Sequence, residues 1–236
     1  MTPRSQSGFT LLELMVVVAI IGILTALSAA AAEKIGMNNA TQNAASDLSS
    51  VLQNARARAE QRGSDVYVIV YPRMTKAGAL TGGSGAIFVY EDANGNFITG
   101  SGPCTGSGTL DCSWSNFTPP NNVRSPSTSP DRFVQAIYLD DYVKKNVRFG
   151  KPSTLTFAAP FSSISATADV NGCSFCATGN KGAIVFTGEQ QARFLDDTGA
   201  PQAKRVGGLA LQAVNDNNRT YLFGLVGATG LVTLVK

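Results

Sequence analysis

From Leu14 to Ala32 the chain carries no Asp, Glu, Lys or Arg. At ~1.5 Å per residue, a helix over that run nearly spans a hydrocarbon core of about 30 Å. One carboxylate, Glu13, stands at its start. An acid at membrane depth is costly and marks a functional position that needs a partner. Two ordinary readings compete. A secretory signal peptide would use Arg4 as its basic end and Ala29-Ala30-Ala31-Ala32 as small-residue cleavage sites, but signal-peptide apolar regions run only about 7–15 residues. A plain single-pass anchor would make Glu13 incidental. Charge bias does not orient the span, because Arg4 lies on one side and Lys34 on the other.

The residues before the run carry a resemblance. Gly8-Phe9-Thr10-Leu11-Leu12-Glu13 resembles the cleavage signature of type IV prepilins and pseudopilins. The resemblance implies that residues 1–8 are a leader cut between Gly8 and Phe9. It also implies that prepilin peptidase N-methylates the new amino-terminal Phe9. Cleavage would expose a positive amine inside the bilayer. Glu13 of one subunit would neutralise the Phe9 amine of a neighbour as the helices stagger into a filament. Neither charge is tolerable alone in lipid, whereas the pair is. Leu11, Leu12, Leu14, Met15 and Val16–Val18 would supply helix–helix packing.

After the span the pattern becomes amphipathic. Ala44, Leu48, Val51, Leu52, Ala55 and Ala59 recur at helical spacing, and polar residues interleave. Gly63 reads as the helix stop, with Arg56, Arg58 and Arg62 at the negative end of the helix dipole. That basic cluster reads as a solvated helix terminus. Beyond Gly63 the signal is β. Strands are expected at 66–71, 86–90, 133–139, 147–149, 154–157, 183–187, 192–195, 208–214, 220–226 and 231–235. Asn94-Gly95 predicts a hairpin turn into Phe97-Ile98. Asp92-Ala93-Asn94-Gly95-Asn96 also places oxygen ligands at alternating positions, but it lacks the bidentate Glu that would complete a calcium loop. Residues 99–131, rich in Gly, Ser, Pro, Asn and Thr, read as a long surface loop.

The expected fold is α+β: a long N-terminal helix, half transmembrane and half amphipathic, packed on a β-rich globular head of antiparallel sheets. The expected divisions are a leader at 1–8, a transmembrane helix at 9–32, its amphipathic continuation at 33–62 and the head at 63–236.

The chain has four cysteines, Cys104, Cys112, Cys173 and Cys176. Disulfides suit a chain that leaves the cytoplasm, and four cysteines allow three pairings. Closeness in sequence favours Cys104–Cys112 and Cys173–Cys176. Cys173-Ser174-Phe175-Cys176 has the spacing of a redox pair but not the strand-then-helix setting that activates a thiol. A four-thiolate zinc site is disfavoured because only one pair has two-residue spacing. Histidine is absent, which removes the usual general base and every His-ligated metal. No cofactor and no enzymatic activity are expected. A net charge of +3 over 236 residues does not mark a polyanion binder.

A helix running into a β-rich head resembles the GspH/FimT-like branch of this family. Phe186-Thr187-Gly188…Arg193-Phe194 and the Asp92…Asn94-Gly95-Asn96 turn are similar to that branch too. This implies a minor pilin that helps initiate or cap a pilus filament. Its partners would be prepilin peptidase, other minor and major pilins, an inner-membrane assembly platform and, before assembly, membrane lipid. It would sit in the inner membrane with a periplasmic head, then at the cell surface. Two alternatives stay open: a type II secretion pseudopilin at the pseudopilus tip, and a DNA-uptake pilin. The third class, a membrane-tethered enzyme, lacks a recognisable nucleophile. DNA-binding members of the branch resemble one another in a basic Gly-Arg-x-Arg motif at the final strand. Here the segment is Gly230-Leu231-Val232-Thr233, without either arginine, so nucleic acid is not an expected partner.

Overall fold

A computed structural model of the chain describes residues 11–100, 104, 112–119, 131–142, 145–150, 159, 161, 172–176, 180–203, 205–216 and 219–235. The chain divides into two compact units, residues 1–39 and 40–236. Helix α1 (Leu11–Arg62) is unbroken, including at Gly36. It ends where Gly63 takes φ +65° and donates its N–H to the Ala59 carbonyl at 2.9 Å. This left-handed conformation is open to glycine at little steric cost.

Among the described residues the head contains nine strands in two antiparallel sheets. The five-stranded sheet has the order β3-β2-β1-β5-β6, made of β1 (Asp65–Tyr71), β2 (Ala86–Asp92), β3 (Arg132–Tyr138), β5 (Gly182–Phe186) and β6 (Ala192–Leu195). The four-stranded sheet has the order β4-β7-β8-β9, made of β4 (Val147–Phe149), β7 (Val206–Ala213), β8 (Thr220–Val226) and β9 (Leu231–Val235). A 3-10 turn at Leu139–Asp141 links β3 towards β4. The chain is thus α+β with a β-rich head. The expected strand at 154–157 lies outside the described residues.

Both faces of the five-stranded sheet are covered, which accounts for the continuous apolar runs in β1, β2 and β5. On one face, the α1 stripe Ala44, Leu48, Val51, Leu52, Ala55 and Ala59 packs in one core with Val66, Val68, Val70, Ile87, Val89 and Ile184. Small side chains let the helix backbone approach the sheet closely, and burial at ~25 cal/mol per Å² of apolar surface holds it there. Leu209, Leu211, Phe223 and Leu225 of the second sheet join the same core. The opposite face carries Tyr67, Ile69, Tyr71, Phe88 and Tyr90, and is closed by Phe97, Cys104, Cys112, Trp114 and Phe117.

That closure corrects two expectations. Phe97-Ile98 is not a strand; residues 97–99 form a turn, and β2 pairs instead with β1 and β3. Nor do 112–119 belong to a surface loop. Trp114 is 3% exposed and Phe117 1%, and both lie in the aromatic cluster centred on Phe97. Polar composition suggested solvent, whereas two aromatics and a disulfide make this stretch a second cover for the sheet. The rest of 101–130 lies outside the described residues.

Candidate functional site

Gly8 and Phe9 lie outside the described residues. Glu13 stands in the first turn of α1, where a carboxylate suits the positive end of the helix dipole. From Leu11 to Ser28 no side chain is buried within the chain. Leu11, Leu12, Leu14, Val17 and Ile20 together face all sides of the helix, each at least half exposed. Apolar surface on all sides requires an apolar surround, either lipid or other helices. The two hydroxyls in the span are satisfied internally. Thr25 Oγ1 donates to the Ile21 and Gly22 carbonyls, each at 2.9 Å, and Ser28 Oγ to the Leu24 carbonyl at 2.7 Å. Hydroxyls bonded back to their own helix in this way are compatible with hydrocarbon.

In the head, disulfides join Cys104 to Cys112 and Cys173 to Cys176. All four cysteines are buried, so neither pair presents a sulfur for exchange. Cys173 forms a β-bridge with Leu209 of β7. Cys176 lies beside Gly182 of β5, where an added Cβ would come within 3.0 Å of its Sγ. This disulfide therefore ties the second sheet to the first.

The Asp92 turn is held by two carboxylates. Asp92 accepts the N–H groups of Gly95, Asn96 and Phe97 at 2.7, 3.2 and 3.0 Å. Asp131 accepts those of Ala93 and Asn94 at 2.7 and 3.3 Å. Backbone donors thus occupy both Asp92 carboxylate oxygens, and the turn aims Phe97 into the core. Among the described residues no group of three or more His, Cys, Asp or Glu side chains is arranged to hold a metal. Asp92→Ala leaves these N–H groups without their carboxylate. The expected loss is about 2–4 kcal/mol, read by chemical unfolding of the full chain, with Asp92→Asn losing less.

The arginines ending α1 are structural. Arg58 and Arg62 pair with Glu91 of β2, a carboxylate only 1% exposed, and Arg56 pairs with Glu60 at 2.9 Å. Sequence reasoning missed Glu91 and Asp131, because each partner is distant in sequence and no local pattern announces it. The β5–β6 hairpin reaches the helix end: a Cβ on Gly188 would lie 2.8 Å from Gly63 Cα. The final strand β9 forms an edge of the four-stranded sheet. Lys204 and Lys236 lie outside the described residues.

Residues 3–29 match a family model described as the prokaryotic N-terminal methylation motif. Neither the curated proteins nor the solved structures give a match. The motif and the apolar helix it contains are consistent with a type IV prepilin or pseudopilin anchored in a membrane. The motif points to a structural protein and implies processing by prepilin peptidase and assembly with other pilins.

Proposed function

We propose that this chain is a minor type IV pilin, non-enzymatic, that helps initiate or cap a pilus filament. Prepilin peptidase cuts between Gly8 and Phe9 and methylates the Phe9 amine. Residues 9–32 then hold the subunit in the inner membrane with its head in the periplasm until it joins major and other minor pilins at the assembly platform. Glu13 pairs with the Phe9 amine of the neighbouring subunit. The methylation motif at residues 3–29 carries this reading. The span Leu11–Ser28 supports it, since its apolar surface suits lipid before assembly and neighbouring helices afterwards. The minor role rests on the resemblance of the head to the GspH/FimT-like branch.

Gly8→Val tests the processing step. The bulky residue blocks the peptidase, so the variant runs on a gel as the longer, uncut precursor. Unchanged processing contradicts the cleavage assignment. The same chemistry serves a type II secretion pseudopilus, and a knockout separates the two: loss of twitching assigns the pilus, loss of protein secretion the pseudopilus. DNA uptake would require salt-sensitive DNA binding by the full chain in a gel shift. The sequence Gly230-Leu231-Val232-Thr233 predicts none.

A further inference from the structure

An open cleft of ≈ 330 Å³ lies on the head. Tyr71, Leu80, Phe117 and Pro119 give it a mostly apolar lining, and Lys181 and Asp197 supply charge. Lys181 Nζ donates to the Trp114 carbonyl at 2.7 Å and lies 4.3 Å from the centre of the Trp114 ring. The ring in turn donates Nε1–H to the Asp197 carbonyl at 3.0 Å. Ammonium and indole are therefore locked together against the aromatic cover of the sheet. Burial pushes the Lys181 amine down to about 8, partly offset by the nearby Asp197 charge. Such a desolvated cation gains more from an anion than a surface lysine does.

We propose that this cleft binds a small monocarboxylate with an aliphatic body, its carboxylate on Lys181 and its chain against Leu80 and Phe117. The Asp197 charge opposes a second anion, which favours a ligand with one negative charge. The other titratable group in the lining, Tyr71, donates its hydroxyl to the Phe117 carbonyl at 2.9 Å. Burial pushes its ionisation upward, so it stays neutral over the working range. Binding then follows the protonation of Lys181 and falls as pH rises through about 8.

Trp114 is the chain's single tryptophan, so its fluorescence reports the cleft directly. The full chain in zwitterionic lipid nanodiscs is titrated with hexanoate and, at equal ionic strength, with hexanol. The expected result is a saturable change with hexanoate at about pH 7, roughly tenfold or more weaker at about pH 9.5. It is absent in Lys181→Met and weakened in Leu80→Glu, which sets a like charge at the exposed rim without touching the core. If Lys181→Met fails to fold, the Leu80→Glu and pH arms carry the test. N-acetyl-leucyl-leucine identifies the source of the carboxylate: tighter binding than hexanoate assigns a peptide terminus, weaker binding a free acid. Equal responses to hexanoate and hexanol, or none to hexanoate, overturn the proposal.

Discussion

Replacing Glu13 with valine leaves the protein in the membrane and removes it from filaments. The substitution makes the Leu11–Ser28 span more apolar, so insertion is retained. In the proposed mechanism a neighbour's Phe9 amine then enters the bundle with no carboxylate to meet it. A charge in that setting costs about 2.5–3.5 kcal/mol, which corresponds to a drop in incorporation on the order of a hundredfold. Immunoblots of sheared filaments and of membranes, compared with wild type, measure it. Glu13→Gln keeps the shape and loses the charge, so it falls almost as far. Glu13→Asp keeps the charge on a shorter arm and retains part of the incorporation. Normal entry of Glu13→Val into filaments contradicts the charge-pair mechanism.

The second large effect is in the head. Phe97 is fully buried and stacks on Tyr90 with ring centres 4.5 Å apart. Its other ring neighbours are Tyr67 at 4.7 Å, Phe117 at 5.8 Å and Trp114 at 6.1 Å. Phe97 thus joins the 112–119 cover to the sheet, beside Phe117, whose own ring meets Phe88 at 5.9 Å and Tyr90 at 6.2 Å. Phe97→Ala opens a cavity at the meeting point and costs about 3–5 kcal/mol. In a domain of this size that lowers the melting temperature by on the order of 10 °C, measurable by near-UV circular dichroism. Ile98→Ala, one residue on and at the exposed margin, serves as the control and moves the transition little. Equal effects at 97 and 98 contradict the assignment of Phe97 to the core.

These two sites differ in how openly the sequence announces them. The apolar run, the Ala44–Ala59 stripe and most strands are legible because each is a periodicity within a few residues. The α1 stop at Gly63 is legible for the same reason, since one glycine supplies the left-handed residue. The second cover of the sheet is not. Asn94-Gly95 signals a turn correctly, but whether the following residues form a strand depends on the Asp92 carboxylate and on distant aromatics. A tertiary choice therefore overrides a local propensity. The two arginines on Glu91 read as solvated because their acid comes from the sheet beneath the helix, 33 residues from Arg58. Lys181 carries no local signal at all, since its environment is made by Trp114 and the turn holding Asp197. In the proposed mechanism Glu13 has a partner of a further kind: a group that exists only after cleavage, on another chain.

Intact-mass and amino-terminal analysis of the protein purified from membranes tests the central claim most directly. The account predicts a mature chain that begins at Phe9, lacks residues 1–8 and carries one methyl group on the Phe9 amine. A chain that retains Met1, or one cut after the alanines at 29–32, would contradict it.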